Sequence, residues 1–192
     1  MIKEIKSLEQ LDIYKLVSNI VVPRPIAWVS TKSKENILNL APFSYFIPLS
    51  SKPATLLISI GHKKDGSPKD TLKNLRDTKK CSIVIASPSD VKDVEVSASA
   101  LDYNSSEFEH FNIKTKEMLP NYPAIPKSAK AAFFAKYLKE VELEGSKTVP
   151  VIVEIEAIYI DDTIYNSGKI KLNPLARVGA KYFSLGDELE KN

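Results

Sequence analysis

The densest run of ionisable side chains lies between residues 63 and 80, where seven Lys or Arg stand against three Asp. Inside it, Lys69, Asp70 and Thr71 open a stretch whose Leu72 and Leu75 share one helical face. The start of a helix presents N–H groups without intrahelical partners and the positive end of the helix dipole, so it suits a phosphate. Lys69 adds charge and Thr71 a hydroxyl donor, while Asp70 reads as a helix cap or as a ligand contact. Arg24, Ser30 and Thr31 are further hydrogen-bond donors. A second group of interest is Asn39-Leu40-Ala41-Pro42-Phe43-Ser44. It combines an amide, a hydroxyl, a small residue and apolar surface. The basic run also has two other readings, a solvated face and a nucleic-acid patch, but aromatic residues do not interleave with it.

Other chemistries do not match the pattern. Residues 61–66 have the outer glycine spacing of a phosphate-binding loop, but Ser67-Pro68 follows where Lys and Ser or Thr are required. The chain has no G-x-G-x-x-G, no G-x-S-x-G and no H-E-x-x-H. Its one cysteine, Cys81, allows no internal disulfide and reads as a buried strand residue. His62 and His110 lie far apart, so neither a metal pair nor a catalytic histidine is expected. A net charge of +3 is too small to argue for nucleic acid or membrane. No apolar run approaches the roughly 20 residues that span a bilayer. Residues 1–10 lack the apolar block of a secretory signal, so a cytoplasmic protein is expected.

The elements that must carry these residues are short. Leu8, Leu11, Tyr14 and Val17 predict an amphipathic helix, opened by a capping-box pattern at Ser7-Leu-Glu-Gln10 and stopped by Pro23-Arg24-Pro25. Residues 26–31 and 37–41 read as a hairpin, residues 54–60 as a buried strand and residues 81–86 as another. Pro42 lacks a donor, so the stretch around it cannot be a regular central strand. Asp70 and Asp90 are candidate caps of two short helices. Residues 100–128 read as an irregular excursion broken by Pro120, Pro123 and Pro126, with a helical turn near residues 107–111. Residues 149–160 alternate as a long strand, while residues 131–138 fit either a strand or a helix. An acidic tail over 187–192 should fray. Six or more mostly antiparallel strands with short helices predict one mainly β domain over residues 1–192, a β-barrel rather than a doubly wound parallel sheet.

Three segments in register are distinctive: Pro23-Arg-Pro-Ile-Ala-Trp-Val-Ser-Thr31, Asn39-Leu-Ala-Pro-Phe-Ser-Tyr-Phe46 and Lys69-Asp-Thr-Leu-Lys-Asn74. Their order and spacing closely resemble the flavin reductase-like (flavoredoxin-type) family. Ser106-Glu-Phe108 is similar to its S-E-F region, and Arg177-Val-Gly-Ala-Lys-Tyr182 to its R-L-G-G-x-x-Y ending, so the resemblance spans about residues 20–183. There are departures. Lys63 and Lys64 stand where Arg is frequent, Ala86 where Asn is common and Ala180 where a second Gly is usual.

The resemblance implies an FMN-binding split barrel with antiparallel Greek-key strands. Asn39, Leu40, Ala41, Pro42, Phe43 and Ser44 would line the ring, and Lys69, Asp70 and Thr71, with Arg24, Ser30 and Thr31, would meet the phosphate. Arg177 and Tyr182 would serve the flavin or a subunit interface. The implied activity is an oxidoreductase that moves a hydride from NADH or NADPH to the flavin and electrons on to a small-molecule or protein acceptor. Such chemistry belongs to the cofactor and requires no catalytic side chain. The alternatives are an FMN-holding electron carrier without nicotinamide turnover and, more remotely, a nucleic-acid-binding barrel. A homodimer with FMN near the subunit interface is expected. The resemblance motivates it, as do Phe108, Phe111 and Tyr122 in an excursion that looks unable to bury them.

Overall fold

The structure is a computed structural model in which residues 1–189 are described. The chain opens with a 3-10 turn (Ile5–Ser7) and helix α1 (Gln10–Ile20). Five strands follow: β1 (Arg24–Pro25), β2 (Ala27–Lys32), β3 (Leu38–Phe43), β4 (Phe46–Ser51) and β5 (Ala54–Gly61). Helix α2 (Asp70–Thr78) leads into β6 (Lys80–Ile85). Two short helices, α3 (Val91–Val96) and α4 (Glu107–His110), precede the two-residue strands β7 (Thr115–Lys116) and β8 (Ile125–Pro126). A long hairpin, β9 (Ala131–Glu140) and β10 (Thr148–Ile160), is followed by β11 (Tyr165–Asn166), β12 (Lys169–Ile170), β13 (Ala176–Val178) and β14 (Lys181–Phe183).

Seven strands form one antiparallel sheet in the order β3-β2-β6-β9-β10-β5-β4. Its two edge strands, β3 and β4, are consecutive in sequence and joined only by Ser44-Tyr45. The sheet must therefore curl round on itself, which makes a barrel. Consecutive strands β5 and β6 are separated by β9 and β10, so the path is a Greek key rather than a meander. The expected mainly β split barrel is the observed fold.

Alternation along β2 divides the core. Ala27 and Val29 face the barrel interior with Phe46, Leu56, Ile58, Ile60, Val151 and Val153, and Leu72 and Leu75 of α2 plug that interior. Ile26 and Trp28 face outward into a second core with Val84, Phe108, Tyr122, Ile125 and Phe134. The central strands are thus covered on both faces, which explains why they read as continuous apolar runs.

The structure corrects several local readings. Helix α1 begins after Ser7, whose hydroxyl instead donates to the Glu4 carbonyl at 2.8 Å, so the capping box does not form. Lys69, not Asp70, occupies the N-cap of α2, and no side chain caps that helix. The Asp90 carboxylate caps no α3 amide and instead accepts from the Ser87 N–H and hydroxyl at 2.8 and 2.7 Å. Residues 131–140 are strand, because β9 is paired on both sides by β6 and β10. The excursion buries its aromatics within its own chain: Phe108 and Tyr122 are core residues and Phe111 packs against them. They therefore supply no reason for a dimer. Pro42 lies inside β3, but on an edge strand. The Leu40 N–H points away from β2, to the Glu107 carboxylate, and Pro42 is two residues on in the same phase. Its missing N–H would have faced outward, so no ladder bond is lost.

Candidate functional site

Two adjoining cavities follow the outer edge of β3. The larger, about 590 Å³, is lined by Asn39, Ala41 and Pro42 on one side and by Lys69, Asp70 and Thr71 on the other. The smaller, about 190 Å³, is lined by Pro42, Phe43, Ser44, Arg177 and Tyr182 with Tyr14 of α1. Ten of the fourteen candidate residues, from both ends of the chain, thus border one continuous cleft.

The end of the cleft suited to an anion is the start of α2. Its first amides have no side-chain cap, which leaves them free to donate to a ligand. The Asn39 amide donates to the Thr71 hydroxyl at 3.0 Å. The Thr71 oxygen is thereby used as an acceptor, and its own proton remains to be donated into the cleft. One turn on, the Asn74 amide donates to the Thr31 hydroxyl at 3.1 Å, and the Tyr103 hydroxyl donates to the Asn74 carbonyl oxygen at 2.9 Å. These buried bonds fix α2 against β2 and β3, so Thr31 positions the helix and does not itself reach the cavity lining. Lys69 lies 5.9 Å from the centre of the Phe43 ring, and Lys63 pairs with Asp70 at 2.6 Å. The Asp70 carboxylate is therefore occupied by a lysine. Elsewhere in the basic run, Lys73 pairs with Asp77 and Arg76 with Glu140, which is the pattern of a solvated, internally neutralised face.

Three further candidates do not line the cleft, although the Arg24 Nε donates at 3.5 Å to the hydroxyl of Ser44, which does. Arg24 is 4% exposed, and its guanidinium donates to the carbonyls of Ser18 and, at 3.0 Å, Gly179. It latches the end of α1 to the turn between β13 and β14. The Leu40 side chain is wholly in the outer core, and only its N–H turns toward the site. Ser30 is fully buried in β2, and its hydroxyl has no partner among the described residues.

At the other end, Arg177 lies 4.3 Å from the centre of the Tyr182 ring. Burial and the neighbouring Glu95 push the Tyr182 phenol up to about 12, against the pull of Arg177, so it is a neutral donor at physiological pH. Gly179, between them in sequence, has φ +54, and a Cβ there would lie 2.6 Å from the Asn19 side chain. Ala180 is exposed, which explains why the usual second Gly is dispensable. Cys81 is fully buried and its thiol is pushed up to about 12 by desolvation, which makes it inert.

The cleft also contains residues outside the fourteen candidates. Lys63 and Lys64, which stand where Arg is frequent in the family, line the larger cavity, as do His62 and residues 97–101. Glu107 is there too, 5% exposed, and burial raises its carboxyl above the usual glutamate range. The only sign of Glu107 in the sequence is its place in Ser106-Glu-Phe108.

An antiparallel barrel with an uncapped helix start beside a cleft defines a class of protein, the split barrel. Residues 19–186 match the family described as "Flavin reductase like domain", and the chain belongs to that family. An uncharacterized protein of Aquifex aeolicus is 33% identical over 183 residues, covering 93% of this chain and 92% of that protein. The crystal structure of nitrilotriacetate monooxygenase component B from Bacillus cereus superposes with a TM-score of 0.93 at 26% identity, covering 100% of this chain and 98% of that one. Flavoredoxin of Desulfovibrio vulgaris (Miyazaki F) shares the fold, with a TM-score of 0.78 at 16% identity and 100% and 97% coverage. Family membership carries a flavin-related redox function and a flavin cofactor.

Proposed function

We propose that the cleft binds FMN and that the protein is an NAD(P)H-dependent oxidoreductase passing electrons from a nicotinamide through the flavin to an acceptor. The residues present fit that cofactor. The larger cavity is within the range of about 300–1,000 Å³ typical of small-molecule sites. The observation that carries the reading is the convergence at one end of it of uncapped α2 amides, a Thr71 hydroxyl held as a donor by Asn39, and Lys69. Bound flavin would supply the hydride chemistry. Lys69, Thr71 and the α2 amides hold the phosphate, and Ala41 and Pro42 form a small apolar wall for close approach of the ring. Ser44, Arg177 and Tyr182 border the space beside it.

Two titrations test this. Lys69→Ala should weaken FMN by about tenfold to a hundredfold, the loss of one charge-assisted hydrogen bond, and leave riboflavin unchanged. Equal loss of both flavins would remove Lys69 from the phosphate site. Anaerobic addition of NADH and then NADPH should bleach the bound flavin. Failure of both would leave an electron carrier without nicotinamide turnover.

The protein is further proposed to act as a homodimer. Support comes from exposed apolar side chains on α1 and β4, not from the excursion. Leu11 and Val17 on α1 and Ile47 and Leu49 on β4 are exposed, and Tyr14 of α1 stacks with Tyr45, just before β4, at 6.2 Å. Tyr14 also lines the smaller cavity, so this surface borders the cleft.

A further inference from the structure

Glu107 is an anomaly in its surroundings. It is 5% exposed and in no ion pair among the described residues, although Lys63, Lys64 and Lys69 line the same cavity. One carboxylate oxygen, Oε2, accepts the Leu40 N–H at 2.8 Å. The charge that acts on it is Asp70, a like charge, and its other influences are burial and the N–H groups of Leu40 and of Glu107 itself. A buried carboxylate held only by backbone donors, with no cation, is costly to hold, and its second oxygen is suited to a donor from a ligand.

The position of the carboxylate identifies the donor. Asn39, one residue before Leu40, is bonded to Thr71 at the anion end. Ala41 and Pro42, just after it, lead to the apolar end. Glu107 therefore stands midway along the cleft, between where a phosphate and where a ring would lie. The group in the middle of a flavin mononucleotide is a polyol, and hydroxyls are neutral donors that an unpaired carboxylate oxygen accepts without needing a counter-charge.

We propose that Glu107 recognises the polyol segment of the ligand, its Oε1 accepting hydrogen bonds from the ribityl hydroxyls while Oε2 stays on the Leu40 N–H. This rests on the FMN reading above and extends it to specificity. The residue acts on binding and orientation, and no proton transfer is asked of it.

The test compares wild type, Glu107→Gln and Glu107→Asp by quenching of flavin fluorescence with FMN, riboflavin and lumiflavin. Lumiflavin carries the ring but no polyol. Glutamine keeps an acceptor for Leu40 and removes the charge, whereas aspartate keeps the charge and withdraws it by one methylene. Both variants should lose about tenfold or more in affinity for FMN and riboflavin alike, with lumiflavin unchanged. Unchanged FMN and riboflavin affinity in both variants, with wild type binding normally, overturns this assignment alone. Equal loss of lumiflavin also overturns it and places the carboxylate at the ring or in the fold. A wild type that binds no flavin overturns the FMN reading and this assignment together.

Discussion

Side chains of the same type serve opposite ends here, and only their surroundings distinguish them. Lys69 and Arg24 both look like phosphate ligands in the sequence. Lys69 is exposed beside the cleft, while Arg24 is buried against two carbonyls. Arg24→Ala should therefore act on stability. Leaving buried carbonyls unpaired costs about 1–3 kcal/mol. A urea melt should show that loss, and the ratio of FMN to riboflavin affinity should stay at the wild-type value. A selective fall in FMN affinity would return Arg24 to the phosphate site. At Ala41, half-buried in the cavity wall, Ala41→Leu should crowd the ring and weaken FMN and riboflavin together. Retained affinity for both in a fluorescence titration would show that the ring lies elsewhere. That Lys69, Asp70 and Thr71 stand at a helix start was legible because Leu72 and Leu75 mark that helix in the local sequence. Glu107 was not, since its role depends on an edge strand about 67 positions away in the chain pointing one N–H at it. His62 was not either, because its approach to the cleft follows from the course of the loop after β5.

Elements were legible where burial and periodicity agreed. The strands β2, β5 and β6 stood out as apolar runs, and α2 through Leu72 and Leu75. Caps were misread because an acceptor side chain takes whichever donor lies nearest: for Asp90 the serine three residues before it, in a capping box of the preceding 3-10 turn, and for Asp70 a lysine. The strand β9 was ambiguous because its apolar residues pack on both faces, which erases the alternation that marks a strand. The turn at Gly179 joins three elements, since its N–H donates to the Ser18 carbonyl and its own carbonyl accepts from Arg24. Gly179→Ala should cost about 1–2 kcal/mol from the left-handed backbone alone, with crowding against Asn19 in addition. Pairing it with Asn19→Ala should recover only the crowding part in a thermal melt. Full recovery would mean that the backbone is unstrained there.

At the scale of the molecule, the barrel was predictable from strand count and adjacency, whereas its closure at Ser44-Tyr45 follows from a sheet order that the strand pattern does not reveal. Of the two reasons for expecting association, the excursion is overturned by the structure. The aromatics of the excursion are internal, and the uncovered apolar surface belongs to α1 and β4. No helix among the described residues is long and apolar enough to cross a membrane, so that surface is not part of a helical span. A stable dimer buries about 800 Å² per partner. Equilibrium sedimentation should give twice the 21.4 kDa chain mass, and Ile47→Lys with Leu11→Glu should shift it to one. A wild-type monomer would refute the proposal.

The outward phase of β3 has a further meaning. An open strand edge is a template on which a strand from another molecule can zip, and a cleft that must admit a ligand cannot be sealed by a permanent neighbour. Pro42 removes one outward donor from that edge and Glu107 engages another. The rim is left accessible to a small molecule yet poor in the regular donor spacing that an invading chain needs. The same proline that interrupts the sequence pattern thus guards the unliganded protein against self-association through its own binding site.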